Sequence, residues 1–207
     1  RLGTVAVHVT GTFRRRSEIV LHEGYVWNLA QVEFEAPDGS TFTRDIVRSP
    51  GAVGVLPLVF DAEGNPSVAL VSQFRPPYEC NVLEIPAGMR DVDGEDTADV
   101  ARRELIEEAG LAAGQLDLLT EIMPSPGMTD SITTLYLATD CRPVPHDRHG
   151  PEEEHMTLLH LPLGDALAMV ERGEIADAKS VVALLMTERR LQQSDRQAPA
   201  GAPPNEA

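Results

Sequence analysis

The spacing of apolar residues changes along the chain and predicts several strands and three helices. Between Ile19 and Asp45 the apolar positions Val26, Leu29, Val32 and Phe34 lie in β-rich sequence, and Pro37-Asp38-Gly39-Ser40 supplies turn chemistry before Thr41-Phe42-Thr43. A small antiparallel unit follows. Residues 52–60 are a nearly unbroken apolar run closed by Asp61-Ala62-Glu63-Gly64-Asn65, and a β-rich run resumes over 67–73, so two core strands joined by a turn are expected. Strands are also predicted over 115–121, 133–139 and 157–161.

Helical spacing is clearest over 97–109, where Thr97 is the expected N-cap, Glu95 and Asp96 lie near the positive end, and Gly110 supplies the stop. Two later helices are predicted over 165–172 and 180–193. Residues 142–154, rich in Pro, His, Asp and Glu, mark a mobile loop, and the tail 194–207 holds too little apolar surface to fold. Alternating strands and helices give an α/β chain of three parts: an N-terminal β unit over 1–48, a main domain over 49–193, and a disordered tail.

Charge narrows the functions open to such a fold. The chain carries 33 acidic against 17 basic residues, a net charge of -16, which repels nucleic acid and anionic membrane and makes neither an expected partner. An anionic substrate would need local neutralisation by bound cations and a few placed arginines. Cys80 and Cys141 are too few for a disulfide framework and are not spaced as metal ligands. No run of some 18 apolar residues occurs, and Arg14-Arg15-Arg16 is followed by polar residues rather than a signal-peptide core. A soluble cytoplasmic protein is expected.

The helix over 97–109 carries the candidate chemistry. At 100° per residue, Glu107 and Glu108 fall on either side of Glu104, so three carboxylates share an arc of roughly 100°. Ala98, Leu105 and Ala109 form a neighbouring face that can be buried. Like charges at this spacing weaken an isolated helix and call for a compensating partner. Clustered hard oxygens suit Mg²⁺ or Mn²⁺, ions that can neutralise a diphosphate and activate water. A solvated glutamate-rich face is the alternative if the helix stands alone.

The surrounding residues show that it does not. Glu95, Arg103, Glu104, Leu105, Glu107, Glu108, Gly110 and Leu111 resemble the Nudix box, in which Gly, five variable residues, Glu and seven variable residues precede Arg-Glu-aliphatic-variable-Glu-Glu-variable-Gly-aliphatic. One departure is present: six residues, not five, separate Gly88 from Glu95. The resemblance implies an α/β/α sandwich with a mixed sheet, and two or more Mg²⁺ ions per site with Mn²⁺ as a substitute. It implies Glu104, Glu108 and the Ala87 carbonyl as metal ligands, and Glu107 as a ligand directly or through water. Arg103 and Glu95 would support this catalytic set, and a purely structural Arg103–Glu95 pair, compatible with that support, is favoured over direct catalysis by either residue.

Three further segments resemble the ADP-ribose pyrophosphatase branch: Gln73-Phe74-Arg75-Pro76-Pro77 with Leu83-Glu84-Ile85-Pro86-Ala87-Gly88, then Ser125-Pro126-Gly127-Met128-Thr129-Asp130, then Glu152-Glu153-Glu154. The implied reaction splits ADP-ribose into AMP and ribose 5-phosphate. ADP-glucose or GDP-mannose hydrolysis, or ADP-ribose sensing without turnover, are the alternatives. Arg75 is a candidate phosphate or ribose ligand because a planar guanidinium grips two oxygens, and a surface arginine is its bland reading. Glu84 either binds a sugar hydroxyl or pairs with Arg75. Arg48, like Arg44, either approaches substrate or forms a charged strand edge, and Met128 joins the substrate-binding candidates. Core packing is the expected role of Trp27, with adenine stacking the alternative that the resemblance offers. The resemblance places the catalytic base on the acidic loop, at Glu153, then Glu152, then Glu154. It also suggests a homodimer formed through the N-terminal strands.

Overall fold

In the computed structural model, which describes residues 12–92, 94–146 and 155–197, the apolar run becomes the central strand of the main sheet. This strand, β4 (Ala52–Phe60), lies parallel to β10 (Thr133–Thr139), which in turn pairs antiparallel with β9 (Gln115–Ile122). On its other side β4 changes partner along its length. Leu58, Val59 and Phe60 pair antiparallel with Val68, Ser67 and Pro66 of β5 (Pro66–Arg75), whereas Ala52, Val53 and Gly54 pair with Met89, Gly88 and Ala87 of β7 (Ala87–Met89). Pro57, which has no N–H to donate, sits where β4 leaves β5.

β5 meanwhile continues into an antiparallel pairing with β6 (Cys80–Glu84), and β12 (Thr157–Pro162) completes a seven-stranded mixed sheet on the outer edge of β5. The sheet therefore opens between β4 and β5, and the consecutive strands β6 and β7 fill the gap. Pro86 turns between them, its carbonyl accepting from Val55 N at 2.9 Å.

Side-chain alternation sends the two faces of this sheet into separate cores. Leu56, Leu58, Val68, Leu70, Leu135 and Leu137 pack against α2 (Leu163–Glu171) and α3 (Ala178–Gln197), while Val53, Val55, Ala69, Tyr136 and Ala138 pack against α1 (Thr97–Ala109). An α/β/α sandwich with a mixed sheet results, as expected. The N-terminal strands β1 (Arg14–Glu23), β2 (Asn28–Glu35) and β3 (Thr41–Arg48) form a separate three-stranded antiparallel sheet around the predicted turn. Val47 N donates to Met128 O at 2.9 Å, tying this sheet to the loop after β9.

Several local expectations are corrected. The N-cap of α1 is Asp96, whose carboxylate accepts from Ala98 N at 2.8 Å, while Thr97 lies inside the helix with its hydroxyl 2.7 Å from the Tyr136 hydroxyl. Helix α3 starts two residues early and runs to Gln197, taking in four residues assigned to the tail. Arg142–Pro143 (β11) is no loop, for it pairs with Leu111–Ala112 (β8). Residues 1–11 and 198–207 lie outside the described residues.

One buried polar contact locks α3 to the β6–β7 connection. The Ser180 hydroxyl, fully buried, accepts from Ile85 N at 2.8 Å and donates to Asp177 Oδ2 at 2.6 Å. Ser180→Ala strands the Ile85 amide and should cost about 1–3 kcal/mol in urea denaturation. A loss within error of zero would show that the amide finds another acceptor.

Candidate active site

Helix α1 is fixed at both ends, by the Asp96 cap and by Gly110 in the left-handed conformation at φ 61°. Between these ends Val100, Ala101, Leu105 and Ala109 enter the core, which turns the neighbouring acidic arc toward β7. Glu104 and Glu108 are buried, at 6% and 3% exposure, and Glu107 stands at the rim. Glu108 Oε2 accepts from Ala87 N at 2.8 Å. Glu104 lies so close over Gly88 that a Cβ there would overlap its carboxylate and force it aside.

Repulsion between these carboxylates is offset by Arg103. Its Nη1 donates to Glu104 Oε1 at 2.8 Å and to Glu107 Oε2 at 3.1 Å, while Nη2 lies 3.5 Å from Glu95 Oε2 and 3.6 Å from Asp91 Oδ1. Partial burial pulls the guanidinium pKa down, but Glu104, Glu95 and Glu107 raise it overall. The anticipated Arg103–Glu95 pair is present, yet the shorter contacts reach Glu104 and Glu107.

The extra residue after Gly88 leaves β7 undisturbed, because Ala87, Gly88 and Met89 keep regular pairing with β4. It is absorbed between Arg90, whose N donates to Gly51 O at 3.1 Å, and the Asp96 cap. Two buried carboxylates flanking a main-chain segment form an oxygen donor set that fits a hard divalent cation. Main-chain and water oxygens would complete the coordination, since no three His, Cys, Asp or Glu side chains converge on one point among the described residues.

Beside this centre lies a second charged cluster. Arg75 Nε and Nη2 grip Glu84 Oε1 and Oε2 at 2.6 and 2.8 Å, realising the pairing expected as one of two roles for Glu84. Lys179 Nζ, from the first turn of α3, contacts Glu84 Oε2 and lies 3.0 Å from Asp177 Oδ2. Burial pushes the Glu84 carboxyl up, but the Arg75 hydrogen bonds and the Lys179 charge outweigh it and hold the group below its ordinary range. Hydrogen bonding to Glu84 raises the Arg75 pKa, and the charge of Glu108 adds to this, linking the two clusters electrostatically.

Arg75 borders two cavities. One, of 520 Å³, includes Tyr78, Cys80, Glu84 and Lys179 in its wall, and the other, of 650 Å³, includes His22, Tyr25, Trp27 and Met89. Trp27 is therefore not the core residue expected: it is half-exposed, its ring centroid 6.4 Å from that of His22.

Arg48 and Met128 lie elsewhere, sharing a third cavity of 390 Å³. Arg48 there joins Glu18 of β1 (2.8 Å) to Asp130 (3.0 Å), and Arg44 stacks over the Phe42 ring at 4.7 Å. Glu152, Glu153 and Glu154 lie outside the described residues. The chain entering that segment is tied to the end of α1, with Val144 N donating to Gly110 O at 2.8 Å.

Sequence reasoning missed Lys179 and Asp177. A signal was present: Lys179 is the sole lysine among 17 basic residues, and it follows Asp177 at a helix start.

Residues 49–200 match the NUDIX domain family. The chain belongs to that family. Its box lies on α1 and the preceding loop, and the family uses divalent metals. This Nudix hydrolase is 36% identical to the ADP-ribose pyrophosphatase of Bacillus subtilis over 79% of its length and 86% of the relative. It is 35% identical to the ADP-ribose pyrophosphatase of Mycobacterium tuberculosis, over 84% of its own chain and 82% of the other. A methanol dehydrogenase activator of Bacillus methanolicus is 35% identical over 79% and 86% of the two chains. The crystal structure of an ADP compounds hydrolase superposes with a TM-score of 0.75 at 22% identity, covering 89% of this chain and 96% of the other, and supports the fold.

Glu84 gives the Nudix domain a defined response to acid. Its folded pKa is depressed, so its contribution to stability is present above the unfolded value of 4.5 and is lost as pH falls through the lower folded value. Glu84→Gln should melt at a lower temperature than wild type at neutral pH and lose less on acidification to about pH 3. Parallel melting curves for the two proteins would show that Glu84 carries no such linkage.

Proposed function

We propose that this Nudix hydrolase cleaves the diphosphate of ADP-ribose with Mg²⁺, or with Mn²⁺ as a substitute, giving AMP and ribose 5-phosphate. The observation that carries the reading is the pair of buried carboxylates, Glu104 and Glu108, held against the Ala87–Gly88 backbone within the field of Arg75. The names borne by the Bacillus subtilis and Mycobacterium tuberculosis relatives supply the substrate.

Glu104, Glu108 and the Ala87 carbonyl would hold two or more divalent ions, with Glu107 contributing directly or through water. Held there, such ions would supply neutralisation of the diphosphate oxygens and a lowered pKa for the attacking water. Arg103 keeps the carboxylates together, while Arg75 offers its guanidinium to a phosphate or ribose oxygen. Trp27, which lines the 650 Å³ cavity together with Arg75, stacks on the adenine in this reading. Glu153 takes the proton of the attacking water as a new P–O bond forms and the anhydride P–O bond breaks, with Glu152 the next candidate. Arg48 and Met128, which line the third cavity, are the further substrate contacts of this reading.

A homodimer is part of this reading. Ile19 and Leu21 of β1 and Trp27 in the turn after it are large apolar residues left exposed, the kind of surface a second subunit covers. The 1–48 unit is accordingly read as the dimer-forming part and 49–193 as the hydrolase domain. No helix among the described residues is long and apolar enough to cross a membrane. The unpaired Cys80 and Cys141 fit a cytoplasmic setting.

Nucleoside monophosphate release, AMP from ADP-ribose, ADP-glucose, diadenosine polyphosphates and NADH and GMP from GDP-mannose, each with Mg²⁺, should show the highest kcat/KM for ADP-ribose. Glu108→Gln should stay folded and lose at least about a hundredfold in kcat, as expected when a charged metal ligand becomes neutral. Near-normal turnover at saturating Mg²⁺ would remove Glu108 from the metal centre.

The acidic segment is tested by asymmetry. Single Gln substitutions at Glu152, Glu153 and Glu154 should leave two variants close to wild type and lower kcat roughly 10²- to 10⁴-fold in one, with Glu153 expected. Three small, equal losses would mean that the base lies elsewhere.

A further inference from the structure

We propose that Lys179 is a positioning residue for the hydrolysis: held in the first turn of α3, it fixes Glu84 so that Arg75 is presented to the substrate diphosphate in one orientation. The inference rests on the reading of a nucleoside diphosphate sugar as substrate. Nothing in the family match singles this lysine out. Its placement does so, because α3 packs on the face of the sheet opposite α1, and Lys179 reaches from that layer into the Arg75–Glu84 cluster.

The geometry gives each group a separate task. Asp177 caps the start of α3, accepting from Ser180 N at 3.0 Å and from the Ser180 hydroxyl, and Ser180 is itself locked to Ile85 N. The docking of α3 is therefore carried by Ser180, leaving the Lys179 ammonium to act on charge. It lies between Glu84 and Asp177, only 14% exposed, where a compact ammonium meets two carboxylates at once.

Glu84, almost fully buried, is gripped by Arg75 along one edge of the guanidinium, through Nε and Nη2. The remaining donor, Nη1, has no hydrogen bond among the described residues, and Arg75 keeps 36% of its side chain exposed toward the two cavities. One edge is anchored and the other is offered.

Charge counting gives the consequence for substrate. Glu84 and Asp177 balance Arg75 and Lys179, so the cluster is neutral although it lies beside Glu108 in a chain of net charge -16. Without Lys179 the cluster carries an excess negative charge at the place where an anionic diphosphate must bind. Glu84 would also lose its second cation and the constraint that keeps Arg75 in register. Binding should suffer more than the chemical step.

The test compares Lys179→Met, Lys179→Arg, Glu84→Gln and the Lys179→Met/Glu84→Gln double variant in the full chain. KM and kcat are measured for ADP-ribose with Mg²⁺, and the Arg75 Nε–H signal is followed by ¹⁵N NMR in the substrate-free protein. Lys179→Met should raise KM roughly tenfold with kcat within about twofold, the pattern of lost binding that is shared by ground and transition states. Lys179→Arg should recover part of the affinity. In the Glu84→Gln background the Lys179→Met change should add little, since Glu84 no longer needs holding and Asp177 balanced by Arg75 leaves the cluster as neutral as in wild type. The Arg75 Nε–H signal, sharp in wild type, should broaden in Lys179→Met.

An unchanged KM, a full effect of Lys179→Met on top of Glu84→Gln, or an unaltered Arg75 signal would each overturn the proposal. Lys179→Gln, which still donates a hydrogen bond but carries no charge, replaces Lys179→Met if that variant does not fold. Should wild type turn over no ADP-ribose, the proposed function fails, and the Arg75 signal alone decides the role of Lys179.

Discussion

Burying two like charges side by side is the constraint around which this Nudix domain is arranged. Glu104 and Glu108 are removed from water on one helix face, an arrangement that is unfavourable unless hydrogen bonds and opposite charge replace the lost hydration. The protein supplies Ala87 N to Glu108 and Arg103 to Glu104. Gly88, by having no side chain, leaves room for the Glu104 carboxylate against the backbone. These partners come from β7 and from α1 itself, so the acidic face has a stable geometry only when helix and strand are docked.

That docking depends on the opening of the main sheet. Had β4 paired with β5 along its whole length, no gap would admit β6 and β7, and the backbone of Ala87 and Gly88 could not lie under α1. Pro57, unable to donate to a neighbour, marks the place where β4 changes partner, and Pro86 forms the turn between the two inserted strands. The same opening brings Glu84, at the end of β6, beside Arg75, at the end of β5. Two prolines and one change of strand partner thus set the spacing of both charged clusters.

Much of this was legible in the sequence, for identifiable reasons. The predicted boundaries of β9 and β10 fall within a residue of those observed, because β-rich runs bounded by turn residues leave few alternatives. The box was legible because eight specified residues fall at fixed spacing in one segment, five of them on α1. What stayed hidden depends on tertiary partners. Strands of three residues such as β7 have no period to read, and Asp96 and Thr97 are both good capping residues whose choice is made by the contact of Thr97 with Tyr136. Trp27 reads as core by residue type, yet it stands in a turn region that the main sheet does not cover. Lys179 lies 95 residues from Glu84, and no local pattern announces a pair at that separation.

The net charge of -16 would oppose the approach of any diphosphate if it acted as a uniform field, but screening limits its reach to about 8–10 Å at physiological salt. Inside the cleft the nearest charges therefore decide. Arg103 is engaged by its carboxylates, and Arg48 is held between Glu18 and Asp130, so neither has its full charge to give to substrate. Arg75 is also paired, but along one edge only, and the pair is balanced from behind by Lys179. The Arg75 cluster is balanced, but Glu95, Glu104, Glu107 and Glu108 outnumber Arg103, so the cleft as a whole is acidic before cations bind. On the proposed reading, divalent ions would therefore have a role before chemistry begins: they would turn an acidic surface into one on which a diphosphate can settle, with Arg75 giving that settling a direction.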